Sequence, residues 1–298
     1  MAVVMAIPKQ TVLFLGTKKY PNEAEYKQFL KDHGGRSNAS TAMHETCFQF
    51  DVGSDHLAEA MDRFAQFFIA PLFTESATDR ELNAVNSEFH YKQQNDSRRL
   101  YQFDKSLASP QHPFYKFSTG NLQTLREDVD ESVNVRSELL SFYEAHYSSS
   151  VMKLAVVGKE DLDALSQMVV DTFSAIKNRG IKRPQYAQNA FDESPRPILY
   201  KVFPIKERRQ LRISWVMDSC YEQTLSRPTS LLSFCLGDES PGSILSFLKG
   251  EGLATALSAG LSYNLPEFAM MRVSVSLTPS GLERVHDIIA TVYEVRTC

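Results

Sequence analysis

The chain has 298 residues, of which 43% are hydrophobic and 23% charged, with a formal net charge of −4. This length suffices for one large or two ordinary domains. The near-balanced charge gives no broad basic surface for nucleic acid, and no apolar run approaches the ~20 residues that span a bilayer. Cys47, Cys220, Cys235 and Cys298 are scattered, with no C-x-x-C pair. They read as free thiols in a reducing compartment, the cytoplasm by default, with an organelle left open. The apolar start Met1–Ile7 lacks a positive n-region and is too short for a signal peptide.

In chain order, Phe48, Phe50 and Val52 alternate with Gln49 and Asp51, the pattern of a half-buried strand. Leu57, Met61, Phe64 and Phe68 recur at helical steps and predict an amphipathic helix over 56–69, ending before Pro71. A long helix is expected from about Asp79 to Ser106, and another around Leu139, Leu140 and Tyr143. Val151–Val157 reads as a strand closed by Gly158, followed by the helical stripe Leu162, Leu165, Val169 and Phe173. The polar stretch 177–197 holds Gly180, Pro184, Pro195 and Pro197 and reads as a linker. Next come Ile198–Phe203 and the alternating Leu211, Ile213, Trp215 and Met217, with Arg212 and Ser214 between them. Pro241 and Gly242 open a helix around Ile244–Leu248, which Gly250 and Gly252 end. Met271, Val273, Val275 and Leu277 form a last strand, and Leu282, Val285, Ile289 and Val292 a last helix. The strand-then-helix order at 151–174 thus has a weak echo at 271–294.

Glu81 and Glu88 stand seven residues apart in Asp79-Arg80-Glu81-Leu82-Asn83-Ala84-Val85-Asn86-Ser87-Glu88. Seven residues is about two helical turns, so both carboxylates share one helix face. By itself this also describes an ordinary solvated acidic face. His33, His44 and His56 have no ligand spacing and read as surface or satisfied core residues.

A partner segment sharpens the reading. Leu13-Phe14-Leu15-Gly16-Thr17-Lys18-Lys19-Tyr20-Pro21 resembles a stretch of the inverted-zincin peptidases of the insulin-degrading enzyme (insulysin, M16) family. The run from Glu81 to Glu88 fits the same pattern, as do Ser37-Asn38-Ala39 and Asp62-Arg63-Phe64-Ala65-Gln66-Phe67-Phe68. So do Pro110 to Phe114, Thr119-Gly120-Asn121 and Gly237 to Ser243, and the resemblance extends over about residues 12 to 295. It implies an α+β fold of M16 (LuxS/metallohydrolase-like) domains, mostly antiparallel sheet packed against helices. Residues 1–180 would be an N-terminal-type peptidase domain lacking its first strand and zinc helix. Residues 181–197 would be the linker, and 198–298 part of a second domain truncated at its C-terminus.

The resemblance makes Glu88 the third zinc ligand and Glu81 an assisting acid. Phe14, Asn38 and Ala39 would contact substrate, the last two on an edge strand that pairs with extended peptide. Arg98 stands where the family places a pocket aromatic. Zinc is the family cofactor, and peptides are the family substrates. Partners would be peptides and the remaining M16 domains or a homologous subunit, with no nucleic acid and no membrane.

The departure lies at residues 7–11. In the family an H-x-x-E-H helix runs directly into the Leu13 stretch; here those places hold Ile7-Pro8-Lys9-Gln10-Thr11. A hydrolytic zinc site normally takes three protein ligands and leaves a position for water. Isoleucine has no lone pair, threonine is a poor neutral ligand, and glutamine cannot act as a general base. The expectation is therefore a chain of the zinc metalloendopeptidase type that neither holds zinc nor hydrolyses peptides by itself. The alternatives are a non-catalytic peptide-binding or subunit-type homologue, and a truncated product without independent function.

Overall fold

The computed structural model describes residues 16–130, 133–187, 190–191 and 197–294. Its elements run α1 (Glu25–Asp32), β1 (Arg36–Thr41), β2 (Thr46–Asp51), α2 (Leu57–Ile69), α3 (Glu75–Lys92), α4 (Asp96–Ser106), α5 (Val135–His146) and α6 (Leu162–Phe173). They continue with β3 (Gln210–Met217), α7 (Pro228–Leu236), α8 (Ile244–Gly250), β4 (Ala254–Asn264), β5 (Ala269–Leu277), α9 (Pro279–Glu283) and α10 (Val285–Glu294). The chain divides into two compact units. The first holds residues up to Gln94 together with Phe117–Gln185; the second holds Asn95–Lys116 and the residues from Tyr186 onward.

The core of the first unit grows from the stripe on α2. Ala60, Met61, Phe64, Phe67 and Phe68 are all buried on that helix. Leu82 and Val85 of α3, with Leu139 and Tyr143 of α5, complete the same cluster. Strands β1 and β2 form an antiparallel hairpin in which Arg36 faces Asp51 and Thr41 faces Thr46. Phe48 and Phe50 on β2 turn inward, and their rings lie 5.3 Å from Phe68 and 5.0 Å from Phe64. The hairpin's start needs glycine: a Cβ on Gly35 would sit 2.1 Å from the Asp51 carbonyl oxygen, and Gly34 has φ +70.

In the second unit β3, β5 and β4 lie side by side in that order, antiparallel throughout. Met271, Val273, Val275 and Leu277 alternate along β5 and are buried, as predicted for a strand with one apolar face. That face joins Ile244, Leu245 and Leu248 of α8 and Ile288 and Val292 of α10 in one core. The opposite face carries Arg212, Ser214, Arg272, Ser274 and Ser276.

Several expected elements differ. The single helix from Asp79 to Ser106 is two helices. Asn95 ends the run, because its Oδ1 accepts from the amides of Ser97 and Arg98 at 3.0 and 3.2 Å and caps α4. The run 151–157 begins in a tight turn at Ser149–Val151 and then joins no ladder among the described residues, leaving Leu154 and Val157 exposed. The same holds for 198–203. Apolar alternation marks an extended chain but does not supply the neighbouring strand that makes it a ladder. The last predicted helix is divided at Arg284 into α9 and α10. Among the described residues no helix is long and apolar enough to cross a membrane.

Candidate functional site

Helix α3 carries the acidic pair, and four tethers fix it within the first unit. Thr74 caps it by accepting from the Ala77 amide at 3.3 Å, and the Thr74 hydroxyl donates to Glu23 at 3.1 Å. Arg80 forms an ion pair with the same Glu23 carboxylate. Further along, Asn86 Oδ1 accepts from the Leu122 amide at 3.1 Å. Just before the cap, Phe73 is buried at φ +46, a backbone region disfavoured for side chains of this bulk. Arg136 on α5 holds this bend by donating Nε to the Phe73 carbonyl and Nη2 to that of Leu72.

The stretch at Gly16–Tyr20 lies against the entry to α3. The Lys18 amide donates to Ala70 O at 2.9 Å and the Leu72 amide to Gly16 O at 3.2 Å. Lys19 forms an ion pair of 2.6 Å with Asp62 on α2, and the Tyr20 hydroxyl donates to the same carboxylate. Burial alone would raise the Asp62 pKa, but the hydrogen bonds from Lys19 and Tyr20 prevail and hold it below the usual carboxylate value. A carboxyl depressed on folding contributes stability above its unfolded pKa, and that contribution disappears as pH falls through the folded value. We expect wild type to lose stability on acidification below the ordinary carboxylate range, and Asp62→Asn to show a shallower acid limb. Urea midpoints from about pH 6 down to about pH 2 measure this, and parallel curves through that range would refute it.

Ala77, Thr78, Glu81, Leu82 and Val85 form the buried stripe of α3. Glu81 is 8% exposed within it. Glu88 continues the same face two turns later but is exposed, and forms an ion pair with Lys92 one turn further on. The two carboxylates therefore share a face, as their spacing requires, but not an environment. Asn38 and Ala39 lie on β1, opposite Gln49 and Phe48, with Asn38 exposed and Ala39 half-buried. Among the described residues β1 has β2 as its one ladder partner. Phe14 and residues 7–11 lie outside the described residues.

Zinc is the cofactor that the family resemblance implies, and the donors available for it are few. Among the described residues no group of three or more His, Cys, Asp or Glu side chains converges on a point. A Glu88 carboxylate facing an ammonium is a poor start for a cation site, and residues 7–11 add no imidazole. The rings of His33 and His56 lie tilted against each other with centroids 3.8 Å apart, far closer than their sequence spacing indicates.

Comparison with known proteins gives the family. The model described as "Insulinase (Peptidase family M16)" matches residues 10–111, and that of the "Peptidase M16 inactive domain" matches residues 134–296, more than half of the chain. The chain belongs to peptidase family M16. Insulin-degrading enzyme of Homo sapiens is 44% identical over 284 residues, 95% of this chain but 28% of that protein. The A-factor-processing enzyme of Saccharomyces cerevisiae is 42% identical over the same coverage. The crystal structure of pitrilysin superposes with a TM-score of 0.84 at 30% identity, covering 96% of this chain and 30% of that one. A protease from Helicobacter pylori, at 17% identity and TM-score 0.74, shares the fold. This M16 chain thus spans under a third of the length of the curated relatives it matches.

The expected fold class, α+β with antiparallel sheets packed against helices, is the one found. Sequence reasoning missed Arg136 and Phe73, which position α3, and the basic face of the second unit's sheet. The only sequence signal for that face was the alternation of Arg212 and Ser214 with Leu211 and Ile213.

Proposed function

We propose that this M16 chain descends from zinc metalloendopeptidases of the insulysin type and binds extended peptides without hydrolysing them. The observation that carries the reading is the state of α3. Glu88, in the third-ligand position, is paired to Lys92, while Glu81 is buried in the helix stripe. No second or third ligand stands with them among the described residues, and Ile7, Gln10 and Thr11 occupy the motif positions in the sequence. In this reading Glu81 has only a vestigial, packing role. Phe14, Asn38 and Ala39 keep a peptide-contacting one, the β1 edge capturing backbone by strand addition.

Fluorescence anisotropy with a labelled extended peptide tests it. Binding is expected without cleavage, and alternate N-methylation of the peptide backbone should weaken it about tenfold, because strand addition depends on those N–H groups. Equal binding of the methylated peptide would refute capture at a strand edge.

The length of the relatives supports a second element of the proposal: further M16 domains or a homologous subunit complete the peptide-enclosing surface. Co-elution of this chain with a peptide-binding M16 partner would support that, and a peptide affinity unchanged by any such partner would oppose it. The cytoplasm is the proposed compartment.

A further inference from the structure

We propose that the polar face of the second unit's sheet is an oxyanion site, with Arg212 as the group that takes the charge and Arg272 as its positioned neighbour. In the β3–β5 register Arg212 faces Ser274 and Ser214 faces Arg272, so the two guanidinium side chains are diagonal neighbours on one face. The third strand extends both rows. Ser258 on β4 lies opposite Ser274, and Gly260 lies opposite Arg272, where it adds no side chain to cover the arginine.

The two arginines differ in what satisfies them. Arg272 Nε donates to Ser214 Oγ at 2.9 Å and its Nη2 to Asp104 Oδ2 at 2.9 Å. Tyr263 donates its hydroxyl to the same Asp104 oxygen at 3.3 Å. Asp104 thus bonds to Arg272 and Tyr263, while its charge also reaches Arg212 without a direct hydrogen bond or ion pair. Arg212 has one weak partner, Gln210 Oε1 at 3.2 Å from its Nε, and no ion pair among the described residues. Two cations therefore share a half-buried face with one carboxylate. Burial first, and then the Arg272 charge, disfavour the ionised form of Arg212, and the Asp104 charge offsets them only in part. A bound anion would relieve the repulsion and give the Arg212 fork the planar, two-oxygen partner it matches best. Ser274 faces Arg212 across the ladder and brings a hydroxyl donor to the same face. The shared chemistry is a carboxylate or phosphate oxyanion, from an acidic side chain of a peptide or from a free anion. This inference does not depend on the zinc reading.

Isothermal titration calorimetry on the whole 298-residue chain at low salt tests it. The probes are inorganic phosphate, a short peptide containing two glutamates, and the same peptide with glutamines. Saturable binding of phosphate or of the glutamate peptide is expected, with the glutamine peptide silent. Arg212→Gln should weaken that binding about tenfold, and Arg212→Lys should restore part of it. Arg212 is the position to change because Arg272→Gln would strand Asp104. If only the glutamate peptide binds, the source is a peptide carboxylate; if phosphate binds as well, the site accepts oxyanions generally. Absence of binding by both anions, equal binding of the glutamine peptide, or an Arg212→Gln affinity equal to wild type would each overturn the proposal.

Discussion

Phe64→Ala is expected to remove about 3–5 kcal/mol from the stability of the first unit, the range for deleting a buried aromatic ring and leaving a cavity. Phe64 is 5% exposed, and its ring lies 5.0 Å from Phe50, 5.2 Å from Phe68 and 6.4 Å from Tyr26. It therefore joins α1, the β1–β2 hairpin and α2, and the loss should loosen the strand that carries Asn38 and Ala39. Trp215 belongs to the second unit, so its fluorescence does not report directly on this cluster. Hydrogen exchange at the amides of α2 and β2 is the suitable probe. A control at exposed Phe234 should move stability by less than about 0.5 kcal/mol. Protection changing by under about 1 kcal/mol in Phe64→Ala would show that this cluster is not the core it is taken to be.

Arg136→Ala should have the next largest effect, about 2–3 kcal/mol. The guanidinium supplies charge-assisted hydrogen bonds to the carbonyls of Phe73 and Leu72 at a backbone bend with positive φ. Without it, two carbonyls beside a buried ring lose their donor, while the strain at Phe73 remains. Because this bend sets the start of α3, faster exchange should concentrate in the first turns of that helix, around Ala77 and Thr78. Arg136→Lys should rescue little, since one ammonium does not reproduce the planar fork. Uniform loosening of the whole unit would contradict this local account.

Periodicity made the α2 stripe and the β5 alternation legible, because each buries one face against a core and the residue pattern records which face. The break at Asn95 was legible in principle: a capping side chain beside two glutamines is a start signal, but apolar spacing on both sides hid it. The runs at 151–157 and 198–203 show the opposite limit. Their composition is that of strands, yet a ladder is a property of two segments, and periodicity describes only one. For the site, the shared face of Glu81 and Glu88 followed from helix geometry alone. The contrast between a buried Glu81 and an exposed, lysine-paired Glu88 did not, because it depends on where the core ends along α3. Arg212 and Arg272 were invisible as a pair, since only the β3–β5 register brings them together.

The family assignment accounts for the scaffold that this chain shares with pitrilysin. Among the described residues, the core stripe, the hairpin and the tethers of α3 are all formed by residues of the first unit.

The most direct test is metal analysis of the purified chain after zinc loading, run with a peptide cleavage assay with and without chelator. The account predicts clearly substoichiometric zinc and no chelator-sensitive cleavage. One zinc per chain, together with cleavage that chelator abolishes, would contradict it.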